Sequence, residues 1–317
     1  MQNIVQQVVV IGTGGTIAGT AASASDHTGY RAAQIGVAEL VRAVPTLAGQ
    51  ALDAQQIAQV DSKDMDFAVW RDLAQAVQAA LVRPDVAGVV VTHGTDTLEE
   101  TAWFLQAVLA PVKPVVLTAA MRPASALSAD GPQNLADAVR VAAWPQAQGV
   151  VAVLSGRVHG AADVRKAHTY RVDAFDSGDA GPVALVEEGR LRLLRPWPQG
   201  TALGLDRFLG TDPMAWPWVE IITSGAGARG EAVQALVQAG VKGLVVAGTG
   251  NGTIHAALET ALADAQRRGV VVWRASRCGM GPVLGEHPRG WASAGAFTPA
   301  KARVALMLEL MRETVRA

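Results

Sequence analysis

Cysteine is almost absent: Cys278 is the single one in 317 residues. With no second thiol, neither an intrachain disulfide nor a CxxC pair can form, which fits a reducing compartment or a cysteine-poor secreted protein; a cytoplasmic location is expected. Excess charge of one sign is lacking too, since 27 Lys and Arg stand against 28 Asp and Glu. A near-neutral chain gives no electrostatic ground for nucleic acid or an anionic membrane as partner. No uninterrupted run of about 18 apolar residues occurs, so no membrane span is expected. The leading MQNIVQQVVVIGTGG has no basic stretch before its apolar run and no small-residue cleavage site after it. It reads as a core strand entering a glycine turn rather than as a secretory leader. The six histidines form no HExxH or other close pair, and neither a GK[ST] phosphate loop nor a G-x-S-x-G elbow is found. Metal hydrolysis, nucleotide binding through a phosphate loop and an ordinary serine triad are therefore disfavoured, and no metal or cofactor is expected.

Half of the residues are hydrophobic, enough for a sizeable core, and the length suits two domains. Short runs that are apolar throughout (Val8 to Ile11, Gly88 to Thr92, Val115 to Thr118, Val150 to Leu154) alternate with amphipathic patterns such as Asp66 to Val82 and Leu98 to Leu109. Such alternation predicts an α/β fold with a mostly parallel sheet flanked by helices. Val183 to Leu194 alternates around EEGR and predicts a hairpin. The Pro-, Gly- and Trp-rich stretch that follows has no period. The expected division is a larger N-terminal domain over 1–195, a linker over 196–216 and a smaller C-terminal α/β domain over 217–317. In the second domain, strands are expected at Val219 to Thr223, Leu244 to Ala247 and Val270 to Trp273, with helices from Glu231, Thr253 and about Pro299.

Ligands of open parallel sheets bind at the carboxyl ends of the strands, so the turns there carry the information. The first reads IGTGGTIAGT, and its glycine spacing fails a dinucleotide fingerprint at Ile17. It is either a turn that allows close packing or a cradle of backbone N–H groups beside a hydroxyl, Thr16, placed as a nucleophile would be. The small, polar stretch Gly19 to Tyr30 is either a loop tip or a mobile lid, and Tyr30 could carry its phenol back to Thr16. The second turn, THGTDTLEE, holds Thr95 and Asp96 before a helix. One such side chain would be an N-cap, but several polar groups together suit chemistry: a carboxylate for a substrate ammonium, a hydroxyl to attack or relay a proton. A threonine hydroxyl needs a base, and among few lysines Lys63 and Lys166 stand out.

At this point the chain resembles the bacterial L-asparaginase family, two-domain amidohydrolases that include glutaminase-asparaginases. TGGTIAGT (Thr13 to Thr20) and THGTDTLEETAWFL (Thr92 to Leu105) look like the two threonine motifs of that family. DSKDM (Asp61 to Met65), AMRPASALSADGPQNL (Ala120 to Leu135), GTGNGT (Gly248 to Thr253) and KARV (Lys301 to Val304) match in order and approximate spacing. The resemblance implies that Thr16 attacks the side-chain amide of L-asparagine and expels ammonia, with Tyr30 hydrogen-bonded to it when a lid closes. It implies a second cluster of Thr95, Lys166 and Asp96, in which Asp96 also binds the α-amino group. Ser62 would hold the α-carboxylate, and backbone at Gly15, Thr95 and Ala120 would line the amide pocket. Lys63 stands where family members with an N-terminal signal usually carry glutamine, and it would pair with the α-carboxylate or form a structural ion pair. Asn251 and Glu286 would reach a neighbouring subunit's site, making a homo-oligomer, typically a tetramer built as a dimer of dimers. L-Glutamine would be a poorer or comparable substrate. A silent amino-acid sensor is disfavoured by the presence of Thr16, Thr95, Asp96 and Lys166 together. A tRNA-dependent amidotransferase subunit is disfavoured by a first motif that starts within about a dozen residues of Met1, because such subunits usually carry an extra N-terminal domain.

Overall fold

The structure is a computed structural model that describes residues 6–26 and 29–314. His27 and Thr28 of the expected lid, and the first five residues of the leading strand reading, lie outside the described residues. The chain divides into two units, Met1–Leu209 and Gly210–Ala317.

In the first unit the strands are β1 (Gln7–Gly14), β2 (Leu52–Val60), β3 (Val86–Thr92), β4 (Val115–Thr118), β5 (Val150–Leu154), β6 (Arg157–Gly160), β7 (Arg165–Lys166), β8 (Phe175–Asp176), β9 (Ala184–Glu187) and β10 (Arg190–Leu193). Eight of them form one sheet in the order β10-β9-β6-β5-β4-β3-β1-β2. It is parallel from β2 to β5 and antiparallel from β5 to β10. β7 and β8 pair separately. The helices are α1 (Val37–Arg42), α2 (Phe67–Leu81), α3 (Leu98–Leu109), α4 (Gly131–Ala142) and α5 (Asp206–Leu209).

The central strands are apolar throughout because both faces are covered. Val8, Val10, Val90 and Val116 join one core with Val37 and Leu40 of α1 and Leu135 and Val139 of α4. Strand side chains alternate, so Val9, Ile11, Val89 and Val91, all fully buried, face the other side, where α2 packs on β1 and β3 and on α3. Trp70 of α2 stacks on Phe104 of α3 at 4.8 Å, and Phe208 of α5 meets Phe104 edge-on. Residues 196–209 thus belong to the first unit. The hairpin turns at Glu188 and Gly189, both with positive φ (46° and 75°), the backbone that a two-residue hairpin turn needs.

The second unit has strands β11 (Val219–Thr223), β12 (Gly243–Gly248), β13 (Val271–Ser276) and β14 (Ala292–Ser293), parallel in that order. Its helices are α6 (Glu231–Gln238), α7 (Ala256–Arg267) and α8 (Pro299–Thr314). Val233, Leu244, Val246, Leu258, Leu262 and Trp291 form its core. The expected helix from Thr253 starts at Ala256 instead. Thr249 and Thr253 exchange backbone hydrogen bonds of 2.9 and 2.8 Å, which closes a turn before the helix can begin.

Candidate active site

The turns after β1, β3 and β4 gather at the carboxyl ends of adjacent central strands. Thr13 donates through Oγ1 to the Thr92 carbonyl at 2.9 Å, tying the ends of β1 and β3 together. Gly15 has φ 84°, and a Cβ there would collide with the backbone of Gly94. A Cβ at Gly94 would in turn collide with the Ser62 side chain. The two threonine turns therefore touch backbone to backbone, a closeness only glycine allows.

Thr16 opens a single 3-10 turn, Thr16–Ala18, and is buried. Its Oγ1 lies 2.7 Å from the Tyr30 hydroxyl. The loop that brings Tyr30 back is anchored at both ends. Thr20 and Arg31 exchange hydrogen bonds of 2.9 Å, and Gly19 and Ala24 carbonyls accept from Ala124 and Leu127 N–H. Ala21 N–H donates to Ser125 Oγ at 2.8 Å.

The second cluster centres on Lys166. Its ammonium donates to Thr95 Oγ1 at 2.9 Å and to Asp96 Oδ1 at 2.6 Å. Thr95 is buried, whereas half of the Asp96 side chain is exposed. Ser62, also buried, stands against this turn: Asp96 N–H donates to its Oγ at 3.1 Å, and Thr97 Oγ1 donates to its carbonyl at 2.8 Å. Because Ser62 Oγ accepts there, its own proton remains available to an anion. Lys63 points outward and pairs with Asp64. The Asp64 hydrogen bond, with Asp61 and Asp96 adding attraction, holds its ammonium pKa above the usual lysine range. An open cavity of about 380 Å³ is lined by Asp96, Lys166, Ala167, His168 and Thr169.

Ala120, fully buried, follows β4 on a loop that the sequence reading left without support. Asp130 supplies it by accepting from Met121 and Arg122 N–H, both at 3.0 Å. Asn134 Nδ2 donates to the Ala119 carbonyl at 2.9 Å. The polar spacing inside SADGPQNL was the available signal for this support. Gly15, Thr16, Tyr30, Ser62, Thr95, Asp96 and Lys166 are thus linked by contact, and Lys63 stays at the rim. Asn251 lies in the second unit, where its side chain accepts from Leu284 N–H at 2.7 Å and donates to the Leu284 carbonyl at 3.1 Å. Glu286 is exposed two residues further on. Among the described residues no three His, Cys, Asp or Glu gather as metal ligands.

Residues 7–199 match the model of the asparaginase N-terminal domain, and 218–316 match that of the glutaminase/asparaginase C-terminal domain. This chain belongs to the asparaginase family. A relative from Haemophilus influenzae, named a probable periplasmic L-asparaginase, is 38% identical over 311 residues, covering 96% of this chain and 88% of the relative. A glutaminase-asparaginase from Pseudomonas fluorescens is 35% identical over 314 residues, covering 96% and 86%. The crystal structure of a probable cytoplasmic L-asparaginase from Campylobacter jejuni is 36% identical, with a TM-score of 0.90 and 98% of each chain covered. The family is one of amidohydrolase enzymes, and no helix among the described residues is long and apolar enough to cross a membrane.

Proposed function

We propose that this asparaginase-family member hydrolyses the side-chain amide of L-asparagine to L-aspartate and ammonia through a threonine acyl-enzyme. One observation carries the reading: a paired hydroxyl, Thr16 with Tyr30, and a lysine-backed hydroxyl, Thr95 with Lys166, flank a single glycine seam. Thr16 Oγ1 attacks the amide carbon, and its proton passes toward the leaving nitrogen, which departs as ammonia. Water then attacks the ester, returning the proton to Thr16 and releasing the β-carboxylate. Backbone N–H groups of the seam stabilise the oxyanion at each step. The hydrogen bond from Lys166 supports proton transfer at Thr95. Asp96 holds the α-ammonium and Ser62 the α-carboxylate, with the charged Lys63 at its rim. The anchored loop 19–31 acts as the lid that carries Tyr30.

No sequence motif fixes the length of the substrate side chain. One methylene is worth roughly 1–3 kcal/mol, so L-glutamine is turned over as a poorer or comparable substrate. The names of the relatives, which include both activities, support that. We place the protein in the cytoplasm, in keeping with its single cysteine and with the name of the Campylobacter structure. It works as a homotetramer of two dimers, with Asn251 and Glu286 completing a neighbour's amino-group site. Exposed Met280 and Leu284 beside them support a covered surface there. Ammonia release from L-asparagine, compared between the wild type and Thr16→Ala, tests the chemistry. Equal rates would remove Thr16 from the role of nucleophile.

A further inference from the structure

His93 precedes Gly94 at the glycine seam, and its ring hydrogen-bonds to neither hydroxyl cluster. It directly follows β3, and its side chain is completely buried. Each ring nitrogen has one partner: Nδ1 is 2.7 Å from the Gly94 carbonyl oxygen, and Nε2 is 3.0 Å from Thr101 Oγ1. Thr101 Oγ1 also receives a hydrogen bond of 2.8 Å from Trp70 Nε1. An indole N–H only donates and a carbonyl only accepts. The Gly94 carbonyl therefore accepts the ring proton from Nδ1, and the unprotonated Nε2 accepts the hydroxyl hydrogen of Thr101, whose oxygen accepts from Trp70. A single tautomer satisfies every group in the chain. Burial keeps the imidazole neutral, pushing its pKa down to about 4 against the opposing effect of the Gly94 carbonyl. Trp70, the far end, is held by its stack on Phe104.

We infer that His93 is a positioning residue that, by gripping the Gly94 carbonyl, aims the Thr95 peptide N–H at the substrate's amide oxygen. The inference rests on the reaction proposed above. In a planar trans peptide the C=O of one residue and the N–H of the next point in opposite directions. With the Gly94 carbonyl turned to the buried ring, the Thr95 N–H faces away from it. That N–H has no acceptor among the described residues, although Thr95 is buried. A buried backbone donor without a partner is rare, and it is what stabilisation of an oxyanion requires. Gly94 has no side chain to hold its own peptide in place. The ring supplies that restraint from the rigid interface of α2 and α3.

The test is a pair of substitutions that divide the ring's two functions. His93→Asn puts an amide nitrogen at the position of Nδ1 and keeps the donor to Gly94. His93→Gln puts it near Nε2 and removes that donor. With L-asparagine, His93→Gln is expected to lose about 100-fold in kcat, with KM changed less than about threefold. His93→Asn is expected to stay within about tenfold of the wild type. Thr101→Val, which removes the proton given to Nε2 and frees the other tautomer, is expected to lower kcat about tenfold. Nitrogen-15 NMR of the wild-type imidazole is expected to report the Nδ1-protonated neutral form between about pH 5 and 8. Wild-type kcat in both His93 variants would overturn the inference, as would equal losses in both that track their melting temperatures, or an Nε2-protonated ring. Should neither His93 variant fold, Thr101→Val and the NMR tautomer decide. A wild type that releases no ammonia sinks the functional reading and this role with it; an active wild type with indifferent variants sinks this role alone.

Discussion

Thr95 and Asp96 are consecutive, yet their surroundings differ. The Thr95 hydroxyl is enclosed and touches Lys166, while the Asp96 carboxylate shares the same ammonium from a half-exposed position. Thr95→Ala is therefore expected to lower kcat by at least about 1,000-fold with an unchanged melting temperature. Substantial residual turnover in a folded variant would remove Thr95 from the proton path. Lys63 makes its ion pair in open solvent, where such pairs contribute little to stability. Lys63→Gln should leave the unfolding midpoint unchanged and raise KM for L-asparagine, by less as salt is added; an unchanged KM would reduce Lys63 to a surface ion pair. His93 yields a pH prediction with a definite sign. Burial holds its pKa near 4 in the fold, against 6.5 as its ordinary value. Between those values the unfolded chain binds the proton and the native chain does not, so stability rises with pH across that window. Acidification through it should withdraw roughly 3 kcal/mol. Denaturant titrations of the wild type and the non-titrating His93→Asn should differ in slope between about pH 4 and 6.5 and run parallel above it. Parallel lines throughout would mean the ring is not held neutral.

The strands and turns explain why these side chains meet. β1, β3, β4 and β5 were legible because strands buried on both faces read as unbroken apolar runs. β2 was not, because Leu52–Val60 is a half-exposed edge strand with Asp and Gln among its residues. α4 escaped because it opens on Gly131 and Pro132, which signal a turn until Pro is seen to fill a first-turn position. The threonine turns placed Thr16, Thr95 and Asp96 at strand ends from sequence alone. The approach of Lys166 to Thr95 spans 71 residues, and no local spacing reveals it; the scarcity of lysines singled out Lys63 and Lys166, and the family resemblance chose Lys166. The chain from Trp70 through Thr101 to His93 gave no signal at all, since its links are set by how α2 packs on α3. The glycine seam is the device that makes the site compact. Gly15→Ala faces both a positive φ and the Gly94 backbone. It should lose about 1–3 kcal/mol of stability from backbone strain and essentially all activity, measured by thermal unfolding and ammonia release. A stable, active Gly15→Ala protein would show that the two turns need not touch.

Both units are α/β, but they carry different parts of the account. The first holds the hydroxyl clusters, and the second holds Asn251, whose side chain fastens the segment around Leu284. Asn251→Ala is expected to loosen that segment and weaken assembly, so that sedimentation shows smaller species and kcat falls with dilution. An intact tetramer with unchanged activity would separate Asn251 from any neighbouring site. The proposed assembly is the reading least legible in one sequence, because the residues proposed to make it, such as Met280 and Leu284, read as loop. Everything else depends on the chemistry at Thr16. It is decided by ammonia release from the purified protein with L-asparagine and L-glutamine in parallel, beside Thr16→Ala. Strong release from L-asparagine, abolished by Thr16→Ala, is the expected result. No release from either substrate by folded, assembled protein would contradict that chemistry.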